Sequence, residues 1–319
     1  MTSTAPPSAS FPATLTRTRA ELSAALDGDG APRAVVMTMG ALHQGHFDLV
    51  AEAARRVGPD GTVVVTIFLN PLQFAPGEDL DAYPRTLDAD VSGVTAALTD
   101  DTGTLRVGRL VVFAPTPEVM YPDGEPSVRL DPGPVATVLE GATRPTHFAG
   151  VLQVVLTLMH LTRPRWALFG RKDAQQLAIV SAMVRDLAVP LEIVPVDIRR
   201  EEDGLAMSSR NAYLSATERS QALALSRALE AGRQAAAGGA DAAGVRQAAV
   251  DLLASAEGVE VDYVAVVDPD TFTERAAAGL GLPPEDDDAA AATEGTVLLA
   301  LAAEVGSTRL IDNTLVTLG

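Results

Sequence analysis

Two histidines, His43 and His46, lie three residues apart in the run MTMGALHQGH, residues 37–46, and make up half of the four histidines in the chain. Gly45 lies between them. A short apolar run, Ala34-Val35-Val36, precedes the segment, and a helical pattern follows it. A helix N-terminus presents backbone N–H groups without intrahelical partners and the positive end of the helix dipole, so it attracts phosphate. Two imidazoles there add N–H donors without the bulk of arginine, and glycine lets the backbone approach a nucleotide closely. The chemistry predicted is therefore binding of nucleotide phosphates. The same spacing also suits a metal-binding pair or two ordinary residues at a helix start, and this run alone leaves those readings open.

Four further segments carry polar groups that could converge on a substrate. In FLNPLQFAPGEDLDAYPRT, residues 68–86, Asn70 and Gln73 follow an apolar run. An amide donates and accepts at once, which suits a substrate bearing a hydroxyl and a carboxylate. A turn built on Asn70-Pro71 is the plainer reading of that segment. In LEGATRPTHFAGV, residues 139–151, Arg144 and His147 precede a long helical pattern, where they either face an anion or cap the helix. In FGRKDAQQL, residues 169–177, Lys172 stands at a strand-to-helix junction, placed as a phosphate-binding lysine would be. Asp173 can accept from ribose hydroxyls, and Gln176 shares a helix face with Lys172. An ordinary first helical turn is the competing reading. In EEDGLAMSSRN, residues 201–211, Ser208, Ser209 and Arg210 combine hydroxyl donors with a fixed cation, a set suited to a polyphosphate leaving group.

These segments must be positioned by the elements between them. Continuously apolar runs at 34–39, 63–69, 110–114, 166–169 and 191–198 alternate with helical patterns near 46–57, 86–98, 147–162 and 173–188. Unbroken apolar runs predict parallel strands buried on both faces, and the alternation predicts an α/β fold with a doubly wound parallel sheet. In such sheets ligands sit at the carboxyl ends of the strands, which is where the polar loops fall. The first domain is predicted to span 1–198, with 1–12 disordered because they are rich in Ser, Thr and Pro. Residues 199–319 are predicted to form a smaller α+β lid domain. It would contain Ala-rich helices near 217–237 and 241–256, β runs at 261–267 and 296–305, and the segment TRLIDN. The Ser208–Arg210 segment, lying between the two, is expected to move and close over ATP. The acidic stretch 283–295 reads as a solvated surface loop.

Composition excludes several classes. The net charge is −18, from 24 Lys and Arg against 42 Asp and Glu. Nucleic-acid binding needs clustered cations, so no nucleic-acid partner is expected, nor an anionic membrane surface. A few local cations still suffice for a small anionic substrate. The chain has no cysteine, which removes disulfides, thiolate catalysis and Cys-ligated zinc. The N-terminal residues lack the apolar core of a signal peptide, and no apolar run reaches the roughly 18 residues of a membrane span. A soluble, cytoplasmic protein is expected.

Taken in order, the five segments resemble pantothenate synthetases, the pantoate–β-alanine ligases, from about residue 33 to 215 and more weakly through TRLIDN. That family belongs to the His-x-Gly-His nucleotidyltransferase superfamily, so the resemblance implies a Rossmann-like sheet. It implies that pantoate attacks the α-phosphorus of ATP, and that β-alanine then captures pantoyl adenylate to give pantothenate and AMP. By the same resemblance His43 and His46 contact the ATP phosphates, with His46 the proton donor, while Met39, Gly40 and Gly45 shape the nucleotide loop. Gln73 and Gln176 hold pantoate, with Asn70 beside them and Gln73 also near β-alanine. Lys172 reaches the phosphates and pantoate, and Gly170 and Asp173 meet the nucleoside. Arg199 meets adenine through its backbone, and Met207, Ser208, Ser209 and Arg210 close over the nucleotide. Mg²⁺ is implied with ATP, with Asp90 assisting it through water, and a homodimer is implied as the assembly.

The sequence departs from the family pattern at Met37, where proline is usual, at Ala89 and Arg171, where acids are usual, and at Ala174, where an aromatic is usual. Arg171 is expected to add a cation beside Lys172. Two rival readings are a nucleotidyltransferase that stops at nucleotide transfer, which would not need both Gln73 and Gln176, and a non-catalytic ATP- or pantoate-binding paralogue.

Overall fold

The computed structural model describes residues 13–319 except 29, 76–79, 81–82 and 277–293. The expectations for residues 1–12 and for 283–293 of the acidic stretch lie outside the described residues.

Six strands form one parallel sheet in the order β1-β4-β3-β2-β5-β6. They are β1 (Thr14–Thr16), β2 (Arg33–Thr38), β3 (Thr62–Ile67), β4 (Arg109–Phe113), β5 (Trp166–Gly170) and β6 (Glu192–Val196). Val35, Val36, Val63, Val64, Val65, Val111 and Val112 are wholly buried. Helices cover both faces, which is why these strands read as unbroken apolar runs rather than alternating ones. β1 escapes a reading by pattern because it has only three residues at the sheet edge, two of them exposed.

The crossover helices are α1 (Arg19–Leu26), α2 (Gln44–Val57), α3 (Leu87–Ala97), the short α4 (Pro117–Met120) and α5 (Glu140–Thr143), α6 (His147–Thr162) and α7 (Ala174–Asp186). Leu49, Val50, Ala53 and Val57 form the buried stripe of α2, the spacing of one helical face. The chain runs from β2 outward to β3 and β4, then returns past β2 to β5 and β6. The direction of winding therefore reverses between β2 and β5. A crevice opens there beyond the strand ends, where doubly wound sheets bind ligands.

The C-terminal part pairs α8 (Ala216–Ala237) and α9 (Ala242–Ala254) with an antiparallel sheet of β7 (Val259–Val267), β8 (Gly295–Val305) and β9 (Thr308–Leu318). Leu299, Leu301 and Val305 pack with Leu225 and Leu229 of α8 on one side. Tyr263, Ala265, Ala300 and Ala302 pack on the other side against Val138, Leu139 and Ala178 of the first part. β8 is thus covered on both faces, which accounts for its long apolar run.

Candidate active site

His43 is the N-cap of α2, and its folded-back ring changes what the helix start offers. His43 Nδ1 accepts the N–H of Gly45 at 3.2 Å, and His46 Nδ1 accepts the N–H of His43 at 3.2 Å. The two rings lie 4.1 Å apart. A Cβ on residue 45 would sit 3.1 Å from the His43 ring, so glycine gives the folded-back ring its room. Free backbone N–H groups were the sequence expectation, but two of them are already taken by imidazole. With both Nδ1 atoms accepting, each ring carries its proton on Nε2, and the donors become the imidazoles themselves. Burial and the neighbouring His43 hold His46 down at about 3, and burial with Lys172 nearby lowers His43. Both are neutral donors near pH 7.

Asp90, on α3, holds the loop between β2 and α2. Its carboxylate accepts from the N–H of Ala41 at 3.1 Å, the N–H of Leu42 at 2.8 Å and the Thr86 hydroxyl at 3.2 Å. Ala41 has φ +53°, a left-handed conformation unusual for a side-chain-bearing residue, and Gly40 before it has φ +93°. Asp90 is only 3% exposed. Its oxygens are given to the loop backbone and it is not among the residues that line the cavity, which speaks for a loop-holding role over the expected water-mediated help to Mg²⁺. Gly40 is likewise buried behind the wall and shapes the loop without facing the cavity.

The β3 loop delivers Gln73. Asn70 is wholly buried; its amide donates to Gln73 Oε1 at 3.2 Å and Gly150 O at 3.1 Å, and it accepts from Leu72 N at 3.3 Å and the Tyr121 hydroxyl at 2.9 Å. The expected substrate contact for Asn70 is therefore corrected to a supporting one, because every polar atom of its side chain already has a protein partner. Gln73 Nε2 donates to the Met39 sulfur at 2.8 Å. Gly150 of α6 lets this turn pack: a Cβ there would lie 2.2 Å from Leu72 O. Arg144 donates to Gln73 O at 3.2 Å, and His147 Nδ1 lies 3.1 Å from the same oxygen.

Across the crevice, β5 ends at Gly170, and a single 3-10 turn, Arg171–Asp173, leads into α7. Lys172, the only lysine in the chain, sits on that turn rather than on the helix. Arg171 pairs with Asp197 at 3.2 Å. It is absent from the cavity wall, so the expected extra cation beside Lys172 is not delivered to the site. Beyond β6, Arg199 pairs with Asp48 of α2 at 3.6 Å. Met207 N–H bonds back to Arg199 O at 2.9 Å, presenting Ser208, Ser209 and Arg210.

These loops enclose a cavity of about 290 Å³. Of the residues singled out from sequence, Met39, His43, Gly45, His46, Gln73, Arg144, His147, Gly170, Lys172, Asp173, Gln176, Arg199, Met207, Ser208, Ser209 and Arg210 line it. Asn70, Asp90 and Gly40 do not. Thr38, Phe74, Tyr83 and Tyr213 line it too and were not singled out; nothing in their local pattern separates them from structural residues. The wall joins the imidazoles of His43, His46 and His147, four cationic side chains, two carboxylates (Asp173 and Asp197) and two amides, an arrangement that can neutralise a polyphosphate while orienting a hydroxy acid. It concentrates positive charge in a chain whose net charge is −18.

Residues 13–315 match the family described as pantoate-beta-alanine ligase. A pantothenate synthetase of Streptomyces coelicolor is 47% identical, with 97% of each chain covered. One from Nocardia farcinica is 49% identical over 92% of this chain and 82% of its own. The crystal structure of pantothenate synthetase from Thermus thermophilus is 41% identical, covers 94% of this chain and 98% of its own, and superposes with a TM-score of 0.79. The Francisella tularensis pantoate-beta-alanine ligase, complexed with beta-gamma ATP and beta-alanine, is 27% identical over 95% of this chain and 97% of its own, with a TM-score of 0.68. With a match across nearly its whole length and the two imidazoles, the lysine and the paired amides gathered at the β2–β5 crevice, the chain belongs to the pantoate-beta-alanine ligase family.

Proposed function

We propose that the chain condenses pantoate with β-alanine at the expense of ATP, through pantoyl adenylate, releasing pyrophosphate and AMP. The observation that carries this reading is the meeting of His43, His46, Lys172 and Arg210 with Gln73 and Gln176 in one cavity. A pantoate carboxylate oxygen forms a bond to the α-phosphorus, and the bond to pyrophosphate breaks. The amine of β-alanine then attacks the acyl carbon, loses a proton, and AMP departs with the bonding pair. No protein nucleophile is needed; positioning and charge neutralisation do the catalysis.

In this reading the Nε2–H groups of His43 and His46 donate to the ATP phosphates. Lys172 and Arg210 neutralise the departing pyrophosphate, aided by Ser208 and Ser209. Gln73 and Gln176 hold pantoate, Asp173 meets the ribose, and Arg199 and Met207 flank the nucleoside. Among the described residues no three acidic, histidine or cysteine side chains converge as a metal site. Mg²⁺ accordingly enters as part of the MgATP substrate, carried by phosphate and water oxygens.

We also place the domain boundary at 198/199, between the parallel sheet and the connector to α8, and propose that the Met207–Arg210 segment closes over ATP. A cytoplasmic homodimer fits the family precedent. No described helix is long and apolar enough to cross a membrane.

The test is release of AMP and pyrophosphate from MgATP and pantoate, with and without β-alanine. AMP formation that requires both acids supports the ligase. Pyrophosphate without β-alanine-dependent AMP points to chemistry that stops at the adenylate. Nucleotide binding without any release points to a non-catalytic paralogue.

A further inference from the structure

The C-terminal sheet sends two adjacent polar residues, Asp312 and Asn313 of β9, toward the site without reaching the cavity that holds its chemistry. They are 3% and 6% exposed, and they pair across the ladder with the buried Leu301 and Ala300. Successive side chains on a strand point to opposite faces, so neighbours can grip two separate segments. Asn313 does so on the face toward the parallel sheet: its Nδ2 donates to Arg171 O at 3.0 Å and to Lys172 O at 2.8 Å. These are the backbone carbonyls of the turn that carries Lys172. Asp312 does so on the α8 face: Arg200 donates to its two oxygens at 2.6 and 3.0 Å. The same guanidinium donates to Gly204 O at 3.1 Å. Arg200 and Ala206 form a β-bridge, and Met207 N–H bonds to Arg199 O, so this grip sets the turn that ends in Ser208, Ser209 and Arg210. The Asn313 N–H donates to Asp312 Oδ1 at 2.8 Å, tying the two grips together.

We infer that Asp312 and Asn313 are positioning residues that fix, from the C-terminal sheet, the spacing between Lys172 and the Ser208–Arg210 segment across the phosphate-binding cavity. The inference rests on the ligase reading for what the two segments hold. Its physical basis stands apart from that reading. A pair of primary-amide hydrogen bonds to two successive carbonyls fixes the position of the turn. A bidentate arginine–carboxylate pair fixes both position and orientation of the second segment. Charge neutralisation of a transferring phosphoryl group depends on such spacing, and a misplacement of about 1 Å costs on the order of a hundredfold.

Asn313→Asp tests the donor at constant side-chain volume, since it sets a carboxylate against two carbonyl oxygens. Tyr263→Phe is the control. Tyr263 joins the same two parts of the molecule by donating to Glu140 at 3.0 Å, a hydrogen bond that goes to neither segment. Because Lys172 is the only lysine, protein labelled with ¹⁵N at the lysine ε-amine gives one side-chain amine signal. In Asn313→Asp that signal shifts or broadens, affinity for a non-hydrolysable ATP analogue falls on the order of tenfold, and kcat falls on the order of ten- to a hundredfold. The β-alanine KM stays constant, and Tyr263→Phe leaves all four readouts at wild-type values. Asn313→Ala, which removes the donor without adding charge, serves if the aspartate variant does not fold. An unchanged amine signal and analogue affinity in the Asn313 variant, or equal changes in Tyr263→Phe, would overturn the inference. Wild-type protein that binds the analogue but releases no AMP would overturn the ligase reading instead, with the positioning role still decided by the binding and amine measurements.

Discussion

Replacing His46 with asparagine removes one titrating ring while keeping an acceptor near the position of its Nδ1, which receives the His43 N–H. The folded protein holds His46 from 6.5 down to about 3, first through burial and then through His43. Between those values the unfolded chain binds a proton at this residue and the folded chain does not. The stability that His46 contributes is therefore complete above about pH 6.5 and is lost as the pH falls toward 3. At about 1.4 kcal/mol per unit the full span is worth at most about 5 kcal/mol, and the part lost by pH 4.5 is about 2.7 kcal/mol. These are ceilings, because the ring retains some exposure to the cavity and solvent screens it there. Carboxylates held low, such as Glu201, Asp203 and Asp268, also weaken the fold on acidification, so the wild-type curve alone does not isolate the histidine. The difference between wild type and His46→Asn does. Urea unfolding at constant ionic strength, from about pH 7.5 to 4.5, should show wild type losing about 1–3 kcal/mol more than the variant. Parallel curves would refute the claim that His46 is buried as a neutral donor. The same variant lacks the Nε2–H, so its adenylation rate should collapse at neutral pH with the fold intact; unchanged single-turnover adenylate formation would remove His46 from the mechanism.

Asp90→Asn turns an NH₂ toward backbone N–H groups of the loop. It should cost roughly 1–3 kcal/mol and raise the KM for ATP, with the Mg²⁺ dependence unchanged. A raised Mg²⁺ requirement at constant ATP KM would return Asp90 to the metal. Gly150→Ala forces a methyl within 2.2 Å of Leu72 O, so the turn bearing Gln73 must move. Thermal unfolding should register a loss of about 1–3 kcal/mol together with a higher pantoate KM, and a stable variant with normal KM would show that the turn is free to shift. Gln73→Ala should weaken pantoate more than ATP in equilibrium titrations; equal losses would deny it a role at the pantoate end.

Much of the scaffold was legible because burial on both faces imposes a pattern that single residues cannot hide. The valine runs of β2, β3 and β4 mark central parallel strands, and the helical patterns between them mark the crossovers. β1 was not legible, since three residues at an edge carry no period. The residues that face the cavity were legible where their chemistry is unusual for a loop: His43, His46, Lys172, Gln73 and the Ser208–Arg210 set. Asn70 and Asp90 were read as ligand contacts because an amide at a strand end or a carboxylate at a helix start looks the same whether it meets a substrate or a backbone. Their partners come from elsewhere in the chain: Gly150 and Tyr121 for Asn70, Ala41 and Leu42 for Asp90. Arg171 was read as a second cation in the site, but it pairs with Asp197 in the loop after β6 and is not among the lining residues. The hold of Asn313 on the Lys172 turn spans more than a hundred residues and leaves no local signature. Composition and periodicity thus determined which strands lie inside and which loops gather at their ends, because hydrophobic burial acts on every residue of an element. The job of each polar side chain was decided only by the tertiary structure, because a hydrogen bond depends on the distance and direction of one partner.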